Sequence, residues 1–173
     1  MFKFLRKLNK KESKSLEDCL AQNGLEFDSQ ESAEKYFFDK RDKDIEKLDL
    51  LNSTHPELDL NKRALSLKRI EAFYYKNFID ARNNIGITKD EMEELMTQYV
   101  RQVFVANEMA EWMVFENDFA EGRYDLGLMY GYGSGTMENY ARGLGNIESN
   151  KSRMYLYDKF MMYVPTEREE EVQ

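Results

Sequence analysis

The chain has 173 residues, of which 42% are hydrophobic and 34% are charged, and its formal net charge is −8. This length and this balance predict one domain with a single core and argue against a chain that is disordered throughout. The negative charge opposes nonspecific attraction to nucleic-acid phosphates, so we expect no nucleic acid as a partner.

The scarcity of cysteine and histidine limits the chemistry that the chain can perform. Cys19 and His55 are the single residues of their types, so the usual zinc sets and nucleophile triads lack parts. A lone cysteine cannot form an internal disulfide, which is typical of a reducing compartment and predicts a cytoplasmic protein. We therefore expect no metal, no cofactor and no enzymatic activity.

The first fifteen residues form a basic amphipathic segment on an otherwise acidic chain. Six lysine and arginine residues stand against one acid, and they are interleaved with Phe2, Phe4, Leu5 and Leu8. Residues 1–11 could lie on an anionic membrane surface or on a partner, or they could be a frayed tail or a first helix that packs on the core. We divide the chain into this segment (residues 1–15), an all-α domain (16–164) and an acidic disordered tail (165–173).

Capping signals predict the helices in chain order. Residues 28–31 resemble a helix start and predict a helix to about residue 51, and residues 53–57, with their proline, predict another to about residue 84. The capping box at residues 88–91 predicts a long central helix that reaches about residue 119, and a last helix is expected near residues 151–163. No strand pair is convincing, so the predicted fold is all-α: a single-domain helical bundle or a short stack of α-hairpins.

One acid of the predicted central helix lies in an apolar setting. Glu108 stands between Phe104 and Trp112 on the same helical face, where burial would raise its pKa unless a cation such as Arg101 compensates. A buried ion pair and a rim position are both compatible with this placement. The third interpretation is a small enzyme that uses carboxylates around Glu108.

A glycine- and tyrosine-rich stretch follows the predicted central helix. Residues 126–130 read Leu-Gly-Leu-Met-Tyr, residues 131–133 read Gly-Tyr-Gly, and residues 139–141 read Asn-Tyr-Ala. Together, residues 120–141 resemble a single degenerate Sel-like repeat, a relative of the tetratricopeptide repeat, although Gly143 replaces the alanine of that family. The resemblance implies two helices around a loop, a scaffold that binds proteins, and no catalytic residues. It also implies a partner-binding surface that comprises Tyr124, Tyr130, Tyr132 and Tyr140.

The acidity, the missing catalytic sets and the repeat-like stretch together predict a non-enzymatic protein–protein interaction module. Such a module would be an adaptor or an inhibitor, an immunity protein for example, that presents an acidic helical surface to a basic partner. The alternatives are the carboxylate enzyme around Glu108 and a peripheral membrane protein attached through residues 1–11.

Overall fold

The computed structural model describes residues 24–118, 120–130, 133–135 and 154–165, and for residues 133–135 it describes the backbone. Within these ranges the protein combines four α-helices with an antiparallel sheet of four strands. The all-α prediction is therefore wrong, and the fold is mixed. The helices are α1 (Gln30–Thr54), α2 (Ala64–Tyr74), α3 (Lys89–Ala106) and α4 (Tyr155–Met161), and the strands are β1 (Leu25–Glu26), β2 (Glu111–Asn117), β3 (Ala120–Tyr130) and β4 (Gly133–Gly135).

Helix α1 begins where the capping signal predicts. Ser29 is its N-cap, the backbone N–H of Ser32 donates to Ser29 Oγ at 3.2 Å, and the backbone N–H of Ser29 donates to Ser32 Oγ at 3.3 Å. These two bonds satisfy amide groups that the first turn leaves without a helical partner. The helix is mostly solvated, because its buried residues are only Ala33, Phe37, Leu48 and Leu51.

The helix predicted between residues 53 and 84 is divided into shorter pieces. A 3-10 turn covers Pro56–Leu58, α2 begins at Ala64, and a π-helical segment, Tyr75–Asp80, follows α2. Asp59 and Lys62 have φ angles of 43° and 62°, which no right-handed helix can accommodate. The loop before α2 therefore interrupts the predicted helix.

Helix α3 begins after its N-cap Thr88, as predicted, but it ends at Ala106, well before residue 119. The backbone N–H of Met109 donates to Phe104 O at 3.0 Å, and that of Glu108 donates to Val105 O at 3.1 Å. With Glu108 at a φ of 56°, this pair of bonds is a Schellman motif, which closes the last helical turn. The chain then leaves the helix and enters strand β2.

Strands β2 and β3 form a hairpin and pair along most of their length. Val114 lies opposite Leu126, Trp112 lies opposite Leu128, and β1 and β4 pair with other parts of β3. The helix that the Sel-like resemblance implies at residues 126–130 is consequently absent, since this stretch belongs to β3. Residues 139–141, which the resemblance places at the start of its second helix, lie outside the described residues.

Two hydrophobic clusters hold these elements together. The larger one surrounds α3 and joins it to α2 and α4, and the smaller one lies between α1 and the sheet, with Trp112 packed against both. The smaller cluster contains Ala33, Phe37, Val114, Tyr124 and Leu126. No helix among the described residues is both long and apolar enough to cross a membrane.

Candidate partner-binding groove

The turn between α3 and β2 forms one side of a surface groove. The groove has a volume of about 470 Å³ and is lined by Val105, Glu108, Met109, Ala110, Glu111 and Met129. Four of its lining residues, Val105, Met109, Ala110 and Met129, are apolar, and its two acids are exposed. We refer to these six residues as the methionine groove.

The register of the sheet brings the far wall of the groove into place. Glu111, the first residue of β2, pairs with Met129 near the end of β3, and directly opposite residues of an antiparallel pair share one face of the sheet. Met129 is 43% exposed, whereas the neighbouring Leu128, on the other face, is fully buried. A methionine side chain exposed to this extent leaves apolar surface open to a partner.

The groove lies in a strongly acidic stretch of the chain. Residues 89–130 contain ten acids and three bases, so this stretch accounts for nearly all of the net charge. The bases are engaged elsewhere: Lys89 Nζ lies 3.5 Å from Glu93 Oε1, Arg101 is 8% exposed, and Arg123 Nη2 donates to Gly24 O at 2.7 Å. The exposed acids of the turn and hairpin are Glu108, Glu111, Glu116, Asp118 and Glu121.

The same face of the sheet continues the apolar surface beyond the groove. Met113 and Phe115 alternate with the buried Val114 along β2 and lie on the face that carries Glu111 and Met129. Both are partly exposed, and neither belongs to the two hydrophobic clusters of the described residues. Apolar side chains with an acidic border are the arrangement found at many protein interfaces.

The tyrosines expected to bind a partner are placed differently from one another. Tyr124 is buried at 8% exposure within the smaller cluster, so it is not on the predicted exposed surface. Tyr130 is partly exposed, its ring lies 5.6 Å from that of Tyr163, and burial raises its pKa. Tyr132 and Tyr140 lie outside the described residues.

The two residues predicted to be buried charges are also placed differently from each other. Glu108 is exposed beside the groove, which agrees with the rim position that its sequence setting left open and not with a buried ion pair. Arg101 is buried on α3, and its Nη1 donates to Gln98 Oε1 at 3.5 Å. The burial between Phe104 and Trp112 that motivated a carboxylate enzyme at Glu108 is therefore not present.

Sequence reasoning missed Met109 and Met129 because it extended a helix through residue 119. The position after the helix cap carries Glu108 rather than the glycine that usually marks a Schellman end. A usable signal was the alternation in residues 111–116, where Trp112 and Val114 occupy one face and Met113 and Phe115 the other. Among the described residues, no group of three or more His, Cys, Asp or Glu side chains is arranged to hold a metal ion.

Comparison with known proteins gives one match. A family model described as "Uncharacterised protein YwmA" matches residues 26–164, which extend from β1 to the end of the described helical region. No curated protein and no solved structure matches the chain.

Proposed function

This chain belongs to the family described as uncharacterised protein YwmA, and we propose that it is a non-enzymatic interaction module whose methionine groove receives a basic side chain of a partner protein. Docking covers a basic patch of the partner, which suits an adaptor or an inhibitor. The lone cysteine agrees with action in the cytoplasm.

The observation that supports the proposal is that apolar side chains and two exposed acids line one groove. Met109 and Met129 offer polarizable surface, and Glu108 and Glu111 stand beside them. Lysine and arginine need this combination, because their methylene stems pack on apolar surface while their charged heads seek carboxylates. A partner with an acidic or purely apolar surface would leave the two carboxylates without counterions.

The conformation of Glu108 adds to this argument. A left-handed φ of 56° costs roughly 1 kcal/mol or more for a residue with a Cβ atom, and glycine would avoid that cost. Glu108 adopts this conformation at the rim of the groove, where its carboxylate is exposed. We interpret this glutamate as a binding residue whose left-handed conformation slightly lowers the stability of the fold.

The outer face of the hairpin extends the proposed contact. Met113 and Phe115 supply further apolar area, and no described strand pairs with the free edge of β2. A partner anchored in the groove can therefore also lie across this face or along this edge.

The test is site-directed cross-linking in the native cells. A benzoylphenylalanine placed at Phe115, an aromatic position on the same face, should cross-link to one protein, and mass spectrometry should locate the contact beside lysine or arginine. The same probe at Leu50, a 67% exposed residue of α1, should not capture that protein.

Charge reversal supplies the matched control. Replacing Glu108 and Glu111 by lysine should abolish the cross-link, whereas the same change at Glu46 and Asp49, exposed acids of α1, should leave it intact. Rising salt should weaken capture, since exposed charges are screened. Cross-linking that survives the reversal of Glu108 and Glu111 would contradict the proposal.

A further inference from the structure

The basic segment at the start of the chain and the methionine groove carry opposite charges. Residues 1–15 hold six lysine and arginine residues against one acid, whereas residues 108–121, which begin in the groove and continue along the hairpin, hold five acids and no base. Exposed charges of opposite sign attract each other over about 8 Å at physiological salt. The chain therefore contains a basic sequence of the kind that the groove is proposed to receive.

The segment and the groove also match in apolar character. Four apolar side chains are interleaved with the bases of the segment: Phe2, Phe4, Leu5 and Leu8. Met109 and Met129 line the groove, and Met129 is 43% exposed. Methionine side chains are unbranched and polarizable, so they adapt to apolar groups of different shapes. Both kinds of contact that the groove offers thus have a counterpart in residues 2–8.

The pairing of β1 with β3 places the entry to β1 on the side that leads to the groove. The two strands are antiparallel, with Leu25 opposite Tyr124, so the chain enters β1 from the direction in which β3 continues toward Met129. The Gly24 carbonyl accepts from Arg123 Nη2 at 2.7 Å, which fixes this entry point to the sheet.

The chain between the segment and β1 is long enough to reach the groove. Tyr124 and Met129 are five residues apart on β3, which corresponds to about 17 Å at the rise of a strand. Residues 9–23 would span roughly 50 Å if extended and roughly 22 Å if helical. Residues 2–8 can reach the groove in either case, and a tether of this length gives an effective concentration of the order of millimolar.

We propose that residues 2–8 of the same chain dock in the methionine groove, with their apolar side chains against Met109 and Met129 and their bases beside Glu108 and Glu111. This inference rests on the proposed function, because it uses the same chemistry of the groove. The segment is then a tethered competitor of the partner, and it lowers the apparent affinity of the groove in proportion to the fraction of chains in which it is docked. A membrane or a second copy lacks the advantage of the tether.

The experiment places a nitroxide spin label on the full chain and follows methionine methyl signals by NMR. Asn9→Cys in a Cys19→Ser background gives one labelling site next to the docking residues. The methyl signals of Met109 and Met129 should lose roughly half or more of their intensity, because a millimolar effective concentration keeps much of the segment docked. Met92, in the first turn of α3, is the reference, because it lies about 20 Å from the end of the helix that borders the groove.

Charge reversal in the groove tests the contact. Glu108→Lys with Glu111→Lys should restore the methyl intensity, because the bases of the segment then meet like charges. Glu46→Lys with Asp49→Lys, the same change at exposed acids of α1, should leave the loss of intensity in place. Equal loss in the two variants, or no loss in the original labelled chain, would overturn the proposal.

Charge reversal in the segment leaves every described residue unchanged. Lys3→Glu with Lys7→Glu should also restore the methyl intensity of the labelled chain. Without the spin label, the same two substitutions should raise capture of the partner by the Phe115 probe roughly twofold or more, because the groove is then free in more of the chains. Methyl intensity that stays low after this reversal would overturn the proposal.

Two further samples identify other occupants of the groove or other targets of the segment. Spin-labelled chains mixed with isotope-labelled chains that carry no spin label should show no loss, and a loss there would assign the segment to a second copy. No loss in the labelled chain, together with co-sedimentation on phosphatidylserine vesicles that Lys3→Glu with Lys7→Glu abolishes, would assign it to a membrane. Either result would overturn the proposal.

The same measurements separate this inference from the proposed function. Capture of a partner from Phe115 without any loss of methyl intensity would refute the docking of residues 2–8 alone. Loss of methyl intensity in a chain that captures no partner after the reversal of Lys3 and Lys7 would refute the proposed function alone.

Discussion

The Glu71 carboxylate, buried on α2, accepts the backbone N–H of Leu156 at 2.8 Å and so holds the first turn of α4. Its other oxygen accepts the N–H of Tyr155 at 3.0 Å. A helix of this length has little stability alone, so this remote cap fastens α4 to the core. Glu71→Ala should lower the free energy of unfolding by about 2–4 kcal/mol, because two amides lose their acceptor.

Urea unfolding followed by circular dichroism measures this change. Asp49→Ala, which removes an exposed acid of α1, should shift the free energy of unfolding by less than about 0.5 kcal/mol. Equal effects of the two substitutions would show that Glu71 does not hold α4.

The same carboxylate should make stability depend on pH. Burial raises the pKa of Glu71 above its ordinary value of 4.5, although the Leu156 and Tyr155 amides oppose the shift. The folded protein therefore keeps this proton more tightly than the unfolded chain, and the corresponding stability is present below 4.5 and lost as pH rises through the raised pKa. Glu71→Gln should have a lower free energy of unfolding than the wild type, and this difference should become smaller as pH rises through the raised pKa. Urea unfolding of both proteins at successive pH values measures the difference, and a difference that does not change with pH would contradict the prediction.

A buried hydrogen bond between α2 and α3 leads to a third prediction. Tyr74 Oη donates to Glu93 Oε1 at 2.5 Å, and both side chains are buried. Tyr74→Phe should lower the free energy of unfolding by about 2 kcal/mol, because a charged acceptor loses its donor.

The exposed Tyr36, 45% accessible, supplies the control, and Tyr36→Phe should be nearly neutral in the same urea experiment. Burial is the largest cause that raises the pKa of Tyr74, and the hydrogen bond to Glu93 is the next. Wild-type stability should therefore fall as pH rises above the ordinary tyrosine value of about 10, and Tyr74→Phe should reduce that fall. An unchanged alkaline profile in the variant would exclude this role.

Two glycines with similar backbone angles should respond differently to alanine. Gly24 has a φ of 81°, and a Cβ there would lie 2.7 Å from Tyr124 O, whereas Gly86 has a φ of 84° with nothing within 4 Å. Gly86→Ala should cost roughly 1 kcal/mol for the left-handed conformation alone. Gly24→Ala should cost more and should speed hydrogen exchange in the pairing of β1 with β3; equal costs would refute the clash.

Glu108 should lower the free energy of unfolding while it contributes to binding of the partner. Glu108→Gly should raise the free energy of unfolding by about 1 kcal/mol, because glycine adopts the left-handed angle without strain. Glu108→Ala keeps the strained angle and should give no such gain. Both should weaken the Phe115 cross-link, and a Glu108→Gly protein that is more stable yet binds its partner as before would remove Glu108 from the proposed site.

The starts of α1 and α3 could be predicted from the sequence because capping depends on residues that are close together in the chain. Ser29 and Thr88 accept backbone amides three residues further along, so the residues within one turn decide the boundary. Met92, Met96, Tyr99 and Val103 recur at three- and four-residue spacing, which is also a local pattern, and all four are buried in α3. The groove itself could not be predicted from the sequence, because its walls come from the start of β2 and the end of β3, and the sequence reasoning did not detect these strands.

What the sequence by itself determined is where α1 and α3 begin and that α3 packs centrally. Only the tertiary structure decided that residues 111–117 and 120–130 are strands, because Trp112, Val114 and Leu126 are apolar enough for a buried helix or a buried sheet. The choice depends on contacts distant in the chain: Phe37 of α1 packs on Val114 and Leu126, and Leu25 pairs with Tyr124. Local preference is too weak to resolve such a stretch, whereas burial of a whole sheet face against α1 favours the strand.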